Sequence, residues 1–390
     1  MSNYLQLRYF WFGVKYMSIK KKQSLGIVVT DINFFFSHRA GLAKRLSERF
    51  EILVFSDISK INKSKLNKYA FLKFIHLKSR VKKNKFINLL SVIRYGVSLA
   101  KLLKSNRLDI VFFITLECSM IGAVASIYLK SKNFFIISGA YALRKNKSIR
   151  LIATKVFSFF KSINNKFIFQ NIEDQMLFEE MLGNKHVSFV IKGNGINLSS
   201  INYEFINSVD TVKFLFASNL FYAKGVKEYY DAAVALKNLN INANFYMAGA
   251  YIENHPLSIN KSLYKNIIRS KALEYLGEWD KKTFLNNITN YHIFVLPSFG
   301  EGMPLAVMEA MASGRAIICS NVPGCNSCVH KNLNGYFCEA HSSESLIRSI
   351  KKMVVNKKEI SNMGAYSRRM IEKEFEEDLI HRKYLDVINA

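Results

Sequence analysis

The sequence predicts an α/β protein of two doubly wound domains. Three observations carry this. Short apolar runs alternate with amphipathic helical stretches along the whole chain, the signature of βαβ units and parallel sheets. The alternation is interrupted once, by the turn-rich segment Gly193-Asn-Gly-Ile-Asn-Leu-Ser-Ser-Ile-Asn202, and then restarts. The length of 390 residues suits two domains.

In the first half the strand-like runs are Leu25–Thr30, Ile52–Phe55, Phe71–Ile75, Ile110–Phe113, Phe134–Ser138 and Phe167–Phe169. Helical stretches are predicted over Ser37–Phe50, Phe86–Lys104, Ser119–Lys130, Ile149–Lys161 and Ile172–Met181. After the linker the strands are Val212–Ala217, Asn244–Met247, Leu273–Leu276, Ile293–Leu296 and Ala316–Cys319, with a helix over Val226–Asn238. The nearly uncharged run Val111 to Leu129 approaches the length of a membrane span. Glu117 interrupts it, and it divides into a strand and a helix, so it reads as a buried βα unit. The boundaries are a basic, aromatic N-terminal extension (1–23), a first domain (24–200), a linker running to about Asp210, a second domain (211–371) and a final helix (372–390).

Charge is unevenly distributed. Residues 1–200 carry 34 Lys and Arg against 10 Asp and Glu, a net of +24; residues 201–390 carry 22 against 19, a net of +3. A strongly basic half calls for an anionic partner. Basic residues mixed with Phe74, Phe86, Ile87, Leu89, Leu90 and Ile93, and with Tyr9 to Phe12 beside Arg8 and Lys15, have the composition of interfacial segments. An anionic membrane surface is therefore the expected partner. The charge permits nucleic-acid binding, but no nucleic-acid-recognition pattern appears, so no nucleic acid is expected. Five cysteines form no even framework, and Cys325 and Cys328 lack a second pair, so they read as small apolar residues in a reduced, cytoplasmic setting.

One stretch carries chemistry: Pro297-Ser-Phe-Gly-Glu301-Gly-Met-Pro-Leu-Ala-Val-Met-Glu309-Ala-Met-Ala-Ser-Gly314. It places a carboxylate in a Gly-containing loop after a strand and a second inside the helix that follows. A helix start seats anions through free N–H groups, and carboxylates grip hydroxyls. A phosphate seat between two hydroxyl-binding acids suits a nucleotide sugar.

This stretch resembles the Glu-x7-Glu signature of retaining GT-B glycosyltransferases of family 4, and it is similar to the bacterial subgroup that builds oligosaccharides on polyprenyl diphosphate. The resemblance runs from Ser24 onward and is strongest over Val212 to Glu339. It implies two Rossmann-like domains facing each other across a cleft, with the final helix crossing back onto the first through Phe375, Leu379, Tyr384 and Leu385. It implies transfer of a hexose or N-acetylhexosamine from a nucleotide sugar, with UDP expected, to a lipid-linked saccharide acceptor at the inner face of the cytoplasmic membrane, in synthesis of a bacterial surface glycan such as an O-antigen or capsule.

The site residues follow from the resemblance. Glu301 meets the transferred sugar and Glu309 the ribose. Gly302, Met303, Pro304 and Leu305 line the sugar and phosphate, while Gly249 and Trp279 face the nucleotide. In Phe216-Ala-Ser-Asn219-Leu-Phe-Tyr-Ala-Lys224 the family carries an Arg and then a Lys on the diphosphate. Lys224 matches, but Asn219 stands where the Arg is expected; Lys227 and Arg315 are candidates to replace it. The catalytic set is Glu301, Lys224 and His38. His38, Arg39 and Gly139 are the acceptor-side residues, and Gln170-Asn171 and Gly193-Asn-Gly195 face the cleft. No Asp-x-Asp occurs, so neither a metal nor a cofactor is expected beyond the nucleotide-sugar co-substrate. A sugar-nucleotide epimerase or a non-catalytic relative of this fold is the alternative, and Asn219 keeps the latter open.

Overall fold

A computed structural model describes residues 22–59, 61–77, 89–160, 164–183 and 186–390. The N-terminal aromatic segment and the whole basic run 78–88, with Phe86 and Ile87, lie outside these residues. Seven strands form the first sheet: β1 (Gln23–Val28), β2 (Phe50–Ser56), β3 (Lys73–His76), β4 (Ile110–Ile114), β5 (Lys132–Ile137), β6 (Asn165–Phe169) and β7 (Val187–Val190). Six form the second: β8 (Val212–Ala217), β9 (Ala243–Ala248), β10 (Glu274–Tyr275), β11 (Ile293–Leu296), β12 (Ala316–Ser320) and β13 (Gly335–Cys338).

All pairings within the two sheets are parallel, in the orders β3-β2-β1-β4-β5-β6-β7 and β10-β9-β8-β11-β12-β13. Each order reverses once, between β1 and β4 and between β8 and β11. At such switch points crossovers leave the sheet in opposite directions and open a crevice at the carboxyl ends of the strands. Asp31 to His38 follows β1; Ser218-Asn219 follows β8; Pro297 to Glu301 follows β11. The motif-bearing loops therefore sit where this topology places ligands.

The near-continuous apolar strands follow from burial on both faces. On the first sheet, Val111, Phe113, Phe135, Ile137, Phe167 and Phe169 point to one face and Ile110, Phe112, Ile114, Phe134, Ile136 and Ile168 to the other. The first face is covered by helices Leu89–Ser105, Leu116–Ser126, Lys147–Phe159 and Ile172–Leu182. The second is covered by helices Ile32–His38 and Ala40–Ser47 and by the last helix of the chain, Glu377–Asn389. The run Val111 to Leu129 resolves into β4 and a helix, and among the described residues no helix is long and apolar enough to cross a membrane.

The crossing helix differs in detail from the expectation. The helix is not continuous from Glu372. A π-helical turn, Ile371–Phe375, ends at Glu376, whose extended backbone (φ −61°, ψ 140°) redirects the chain. The redirection is tied to the linker: Ile196 N donates to Phe375 O at 2.8 Å, and Glu377 N donates to Ile196 O at 3.0 Å. Phe375 consequently packs in the second domain's core. The seam on the first domain is made by Ile380, Tyr384, Leu385, Val387 and Ile388, while Leu379 is only half-buried. Two strands at the sheet edges, β7 and β13, were not expected.

Candidate active site at the interdomain cleft

Lys224 and Glu301 are brought together by two loops stapled to each other. A 3-10 turn, Tyr222–Lys224, is ended by Gly225 in the left-handed region (φ 76°). A Cβ there would come within 2.2 Å of Pro297 O, so glycine is required on both conformational and steric grounds. The carbonyl of Ala223 accepts from Ser298 Oγ at 3.0 Å and from Phe299 N at 2.8 Å. With the loops fixed, Lys224 Nζ reaches Glu301 Oε1 at 2.6 Å. Both side chains are mostly buried, so the contact is a strong charge-assisted bond.

Pro304 is the residue that starts the next helix, Leu305–Ala312, and sits one position ahead of the first helical turn expected for it. Among the described residues no acceptor is found for the backbone N–H groups of Gly302 and Met303. The Met303 side chain packs under Gly193, with its sulfur 3.8 Å from Cys328 Sγ. All five cysteines are free and buried.

Glu309 lies on the second turn of this helix and is only 4% exposed. Burial raises its carboxyl above the usual carboxylate range, and the Lys281 ammonium beside it opposes that shift. Lys281 Nζ is 2.8 Å from Glu309 Oε1. The expected donor-side residues Asn219, Gly249 and Trp279 gather with Glu309 and Lys281 around one pocket of about 220 Å³. Trp279 is half-buried and packs towards Tyr291 at 6.2 Å between ring centroids, so it lines the pocket from the edge of the core.

The two cations expected to replace an arginine at Asn219 are committed elsewhere. Arg315 is buried and donates to the carbonyls of Ser313, Thr289, Tyr291 and Glu204. Lys227 pairs with Asp231 at 2.5 Å on the same helix. Lys281 was missed. The available signal was Asp280-Lys-Lys-Thr283, a helix start in the loop after β10, where Asp280 accepts from Thr283 N at 2.7 Å.

On the first domain, His38 ends the helix after β1. Its ring stacks on Phe34 at 4.5 Å, and Nδ1 lies 2.6 Å from Ser37 Oγ. Burial, then the Arg39 charge, with smaller contributions from Lys281 and Lys224, lowers its pKa to about 4. His38 is therefore a neutral imidazole near pH 7, close to both donor-side lysines.

Arg39, expected on the acceptor side, is not exposed to the cleft. It is fully buried, with Nη1 donating to Tyr384 Oη at 2.9 Å and Nη2 to Ser138 Oγ at 3.1 Å. The crossing helix, far away in sequence, lays Tyr384 over it and turns it into a tie between β5 and the last helix. Gly139 does reach the cleft: a Cβ there would lie 3.1 Å from Gly302 N. Asn171 spans the same gap, its Nδ2 donating to Gly302 O at 2.9 Å. It is held by Asp174, which also accepts from Ala140 N at 3.0 Å and from Arg144 Nη2 at 2.8 Å. Asn326 Nδ2 adds a second cross-domain bond, to Glu173 Oε1 at 2.8 Å. The Glu301 loop is thus clasped between the domains. Asp174 and Arg144, which brace this clasp, have no sequence signature.

A larger cleft of about 470 Å³ runs from Glu309, Lys281 and Leu305 past His38, Gly41 and Asn194. The site therefore offers two carboxylates, each beside an ammonium, two loop N–H groups without an acceptor among the described residues, and a neutral imidazole on the opposing wall. That set can hold a polyol and an anion together.

Comparison with known proteins agrees. Residues 204–370 match the family described as "Glycosyl transferases group 1". The chain carries a group 1 glycosyltransferase domain. It is 28% identical over 328 residues, 79% of this chain and 82% of the relative, to N,N'-diacetylbacillosaminyl-diphospho-undecaprenol alpha-1,3-N-acetylgalactosaminyltransferase of Campylobacter jejuni. It is 26% identical, over 77% of this chain and 81% of the relative, to UDP-Gal:alpha-D-GlcNAc-diphosphoundecaprenol alpha-1,3-galactosyltransferase of Escherichia coli. Among solved structures, Anabaena Alr3699/HepE with UDP and glucose superposes with a TM-score of 0.75 at 13% identity, covering 94% of this chain and all of that one. Sucrose-phosphate synthase from Thermosynechococcus elongatus gives 0.77 at 12% identity, covering 94% and 98%. The fold is GT-B, and the chain is a glycosyltransferase.

Proposed function

We propose that this glycosyltransferase moves a hexose or N-acetylhexosamine from a UDP-sugar to a saccharide carried on a polyprenyl diphosphate, with retention and without a metal, in synthesis of a bacterial surface glycan. The observation that carries the reading is the gathering of Asn219, Gly249, Trp279, Lys281 and Glu309 around one pocket, with the Lys224–Glu301 pair in the neighbouring loop. The names of the two bacterial relatives support the acceptor class.

The division of labour is the one the resemblance implies, and the gathering of these residues around one pocket supports it. Glu309 takes the ribose hydroxyls. Lys224, Lys281 and the N–H groups of Gly302 and Met303 take the charge that builds on the leaving diphosphate, and this aimed electrostatic stabilisation is the largest contribution to rate. Glu301 holds the transferred sugar. No side chain is assigned as a nucleophile: the leaving phosphate oxygen receives the acceptor proton as the acceptor hydroxyl attacks the same face. His38, neutral at pH 7, positions that hydroxyl by hydrogen bonding.

Docking on the inner face of the cytoplasmic membrane belongs to the same proposal. Besides the basic charge of the first domain, an apolar groove of about 520 Å³ lined by Leu89, Ile93, Lys155, Ser158, Phe159 and Phe160 supports it; Leu90 and Phe159 are 79% and 81% exposed. Flotation with liposomes checks it: recovery on anionic vesicles and not on neutral ones is expected.

The test of the function is a donor screen with UDP-, GDP- and ADP-sugars against bacterial lipid extract, reading nucleotide release and glycolipid product. UDP release that depends on the extract is expected. Release with no glycolipid product would favour the epimerase or non-catalytic reading.

A further inference from the structure

The 470 Å³ cleft has two chemically different ends. One is the donor end, with Glu309, Lys281 and His38. The other lies wholly on the first domain, beyond Gly41, and is lined by Lys44, Lys68, Phe36, Tyr69 and Phe71. Lys44 projects from the helix Ala40–Ser47, and Lys68 caps the short helix Lys63–Asn67. Both lysines are exposed, and among the described residues no carboxylate pairs with either. Beneath them the rings form a continuous floor. Phe36 stacks on Tyr69 at 5.0 Å, Tyr69 meets Phe71 at 6.1 Å, and Phe71 is 44% exposed. Lys65 adds a third ammonium 4.8 Å from the Phe36 ring.

The cleft is hydroxyl-binding at the donor end and both cationic and aromatic at the other. A sugar linked through a diphosphate to an isoprenoid chain carries the same groups. Its reacting hydroxyl belongs near His38, with its diphosphate and its first hydrocarbon units at the other end. Ammonium groups on flexible stems suit a diphosphate as point charges, and exposed rings suit an unsaturated chain.

We propose that Lys44 and Lys68 seat the acceptor's diphosphate, and that Phe36, Tyr69 and Phe71 carry the first isoprenoid units beside it. This rests on the acceptor class proposed above, and it assigns that class to particular side chains outside the donor pocket.

The test is equilibrium binding of geranyl diphosphate to the full chain by titration calorimetry with UDP present at saturation, with inorganic pyrophosphate and geraniol as parallel arms. Wild type binds geranyl diphosphate more tightly than either arm. The double variant Lys44→Glu/Lys68→Glu loses at least tenfold in that affinity. Phe71→Ser weakens geranyl diphosphate but leaves pyrophosphate unchanged. Circular dichroism and UDP affinity within twofold of wild type establish that the variants are folded. Geranyl diphosphate affinity unchanged by the double substitution, or no binding by wild type, overturns the proposal. If wild type fails to bind UDP, it is the donor reading that fails, and the response of geranyl diphosphate, measured then without UDP, still decides the lysines.

Discussion

The two domains carry similar sheets but build their halves of the cleft in different ways. In the second domain the functional side chains stand on loops whose backbones are bonded to each other, as in the Ala223 carbonyl that accepts from Ser298 and Phe299. Position there follows from local sequence: a strand end, a glycine and a helix start. In the first domain the cleft wall is completed by groups from far along the chain. Tyr384 covers Arg39 across 345 residues, and Asn171 reaches Gly302 across 131. Sites built from local backbone are legible in sequence; sites completed by a distant helix are not.

The largest effect that sharpens this contrast is at the clasped loop. Glu301→Gln keeps the shape but removes the charge that holds Lys224. A loss on the order of a hundredfold in kcat is expected, about 2.7 kcal/mol of transition-state stabilisation, with donor KM changed much less. Steady-state kinetics at saturating donor check it; a loss confined to KM would make Glu301 a ground-state binding group.

Next is the cation that the sequence hid. Lys281→Met is expected to raise donor KM on the order of tenfold, because it leaves the buried Glu309 carboxylate without its partner. It should also make donor binding pH-dependent, since burial already raises that carboxyl: affinity falls as the pH is lowered and Glu309 takes up a proton. Lys281→Arg restores most of the affinity. A flat pH profile for Lys281→Met would separate Lys281 from Glu309.

Arg39 should break the other way. Arg39→Met leaves Tyr384 and Ser138 unpaired, so a stability loss of roughly 2–3 kcal/mol is expected in denaturant unfolding. Acceptor KM of the folded fraction should stay within a few-fold. A large acceptor effect without a stability loss would return Arg39 to the acceptor wall.

The last effect is a pH dependence of stability. His38, His292 and His381 each have a pKa lowered to about 4, in every case chiefly by burial. Their folded pKa lies below the unfolded value of about 6.5, so the unfolded chain binds more protons between these limits. Stability is fully present above about pH 6.5 and falls as the pH drops towards 4. Melting temperatures across this range check the sign, and His292→Gln should flatten the slope in part.

The alternation of strands and helices and most strand positions were legible because parallel sheets buried on both faces write themselves as apolar runs. The edge strands β7 and β13 were not, since Val187–Val190 is short and only partly buried and Gly335 opens β13 with no side chain. The placement of Glu301 in a loop and Glu309 in the helix after it was legible because the strand end, Gly302 and Pro304 mark that change of structure. Lys281 was not, because Asp280 and Thr283 mark only a helix start and nothing in the sequence shows that the fold lays this lysine against Glu309. Arg39 misled for the opposite reason: a cation beside His38 looks like a binding residue until the crossing helix buries it.

In the proposed site the second domain forms the nucleotide seat and Glu309 anchors it. Titration calorimetry of UDP into wild type and Glu309→Ala is the decisive measurement. A single site on wild type is expected, with a loss of affinity of at least thirtyfold in the variant and a melting temperature little changed. Equal UDP affinity in the two proteins would contradict it.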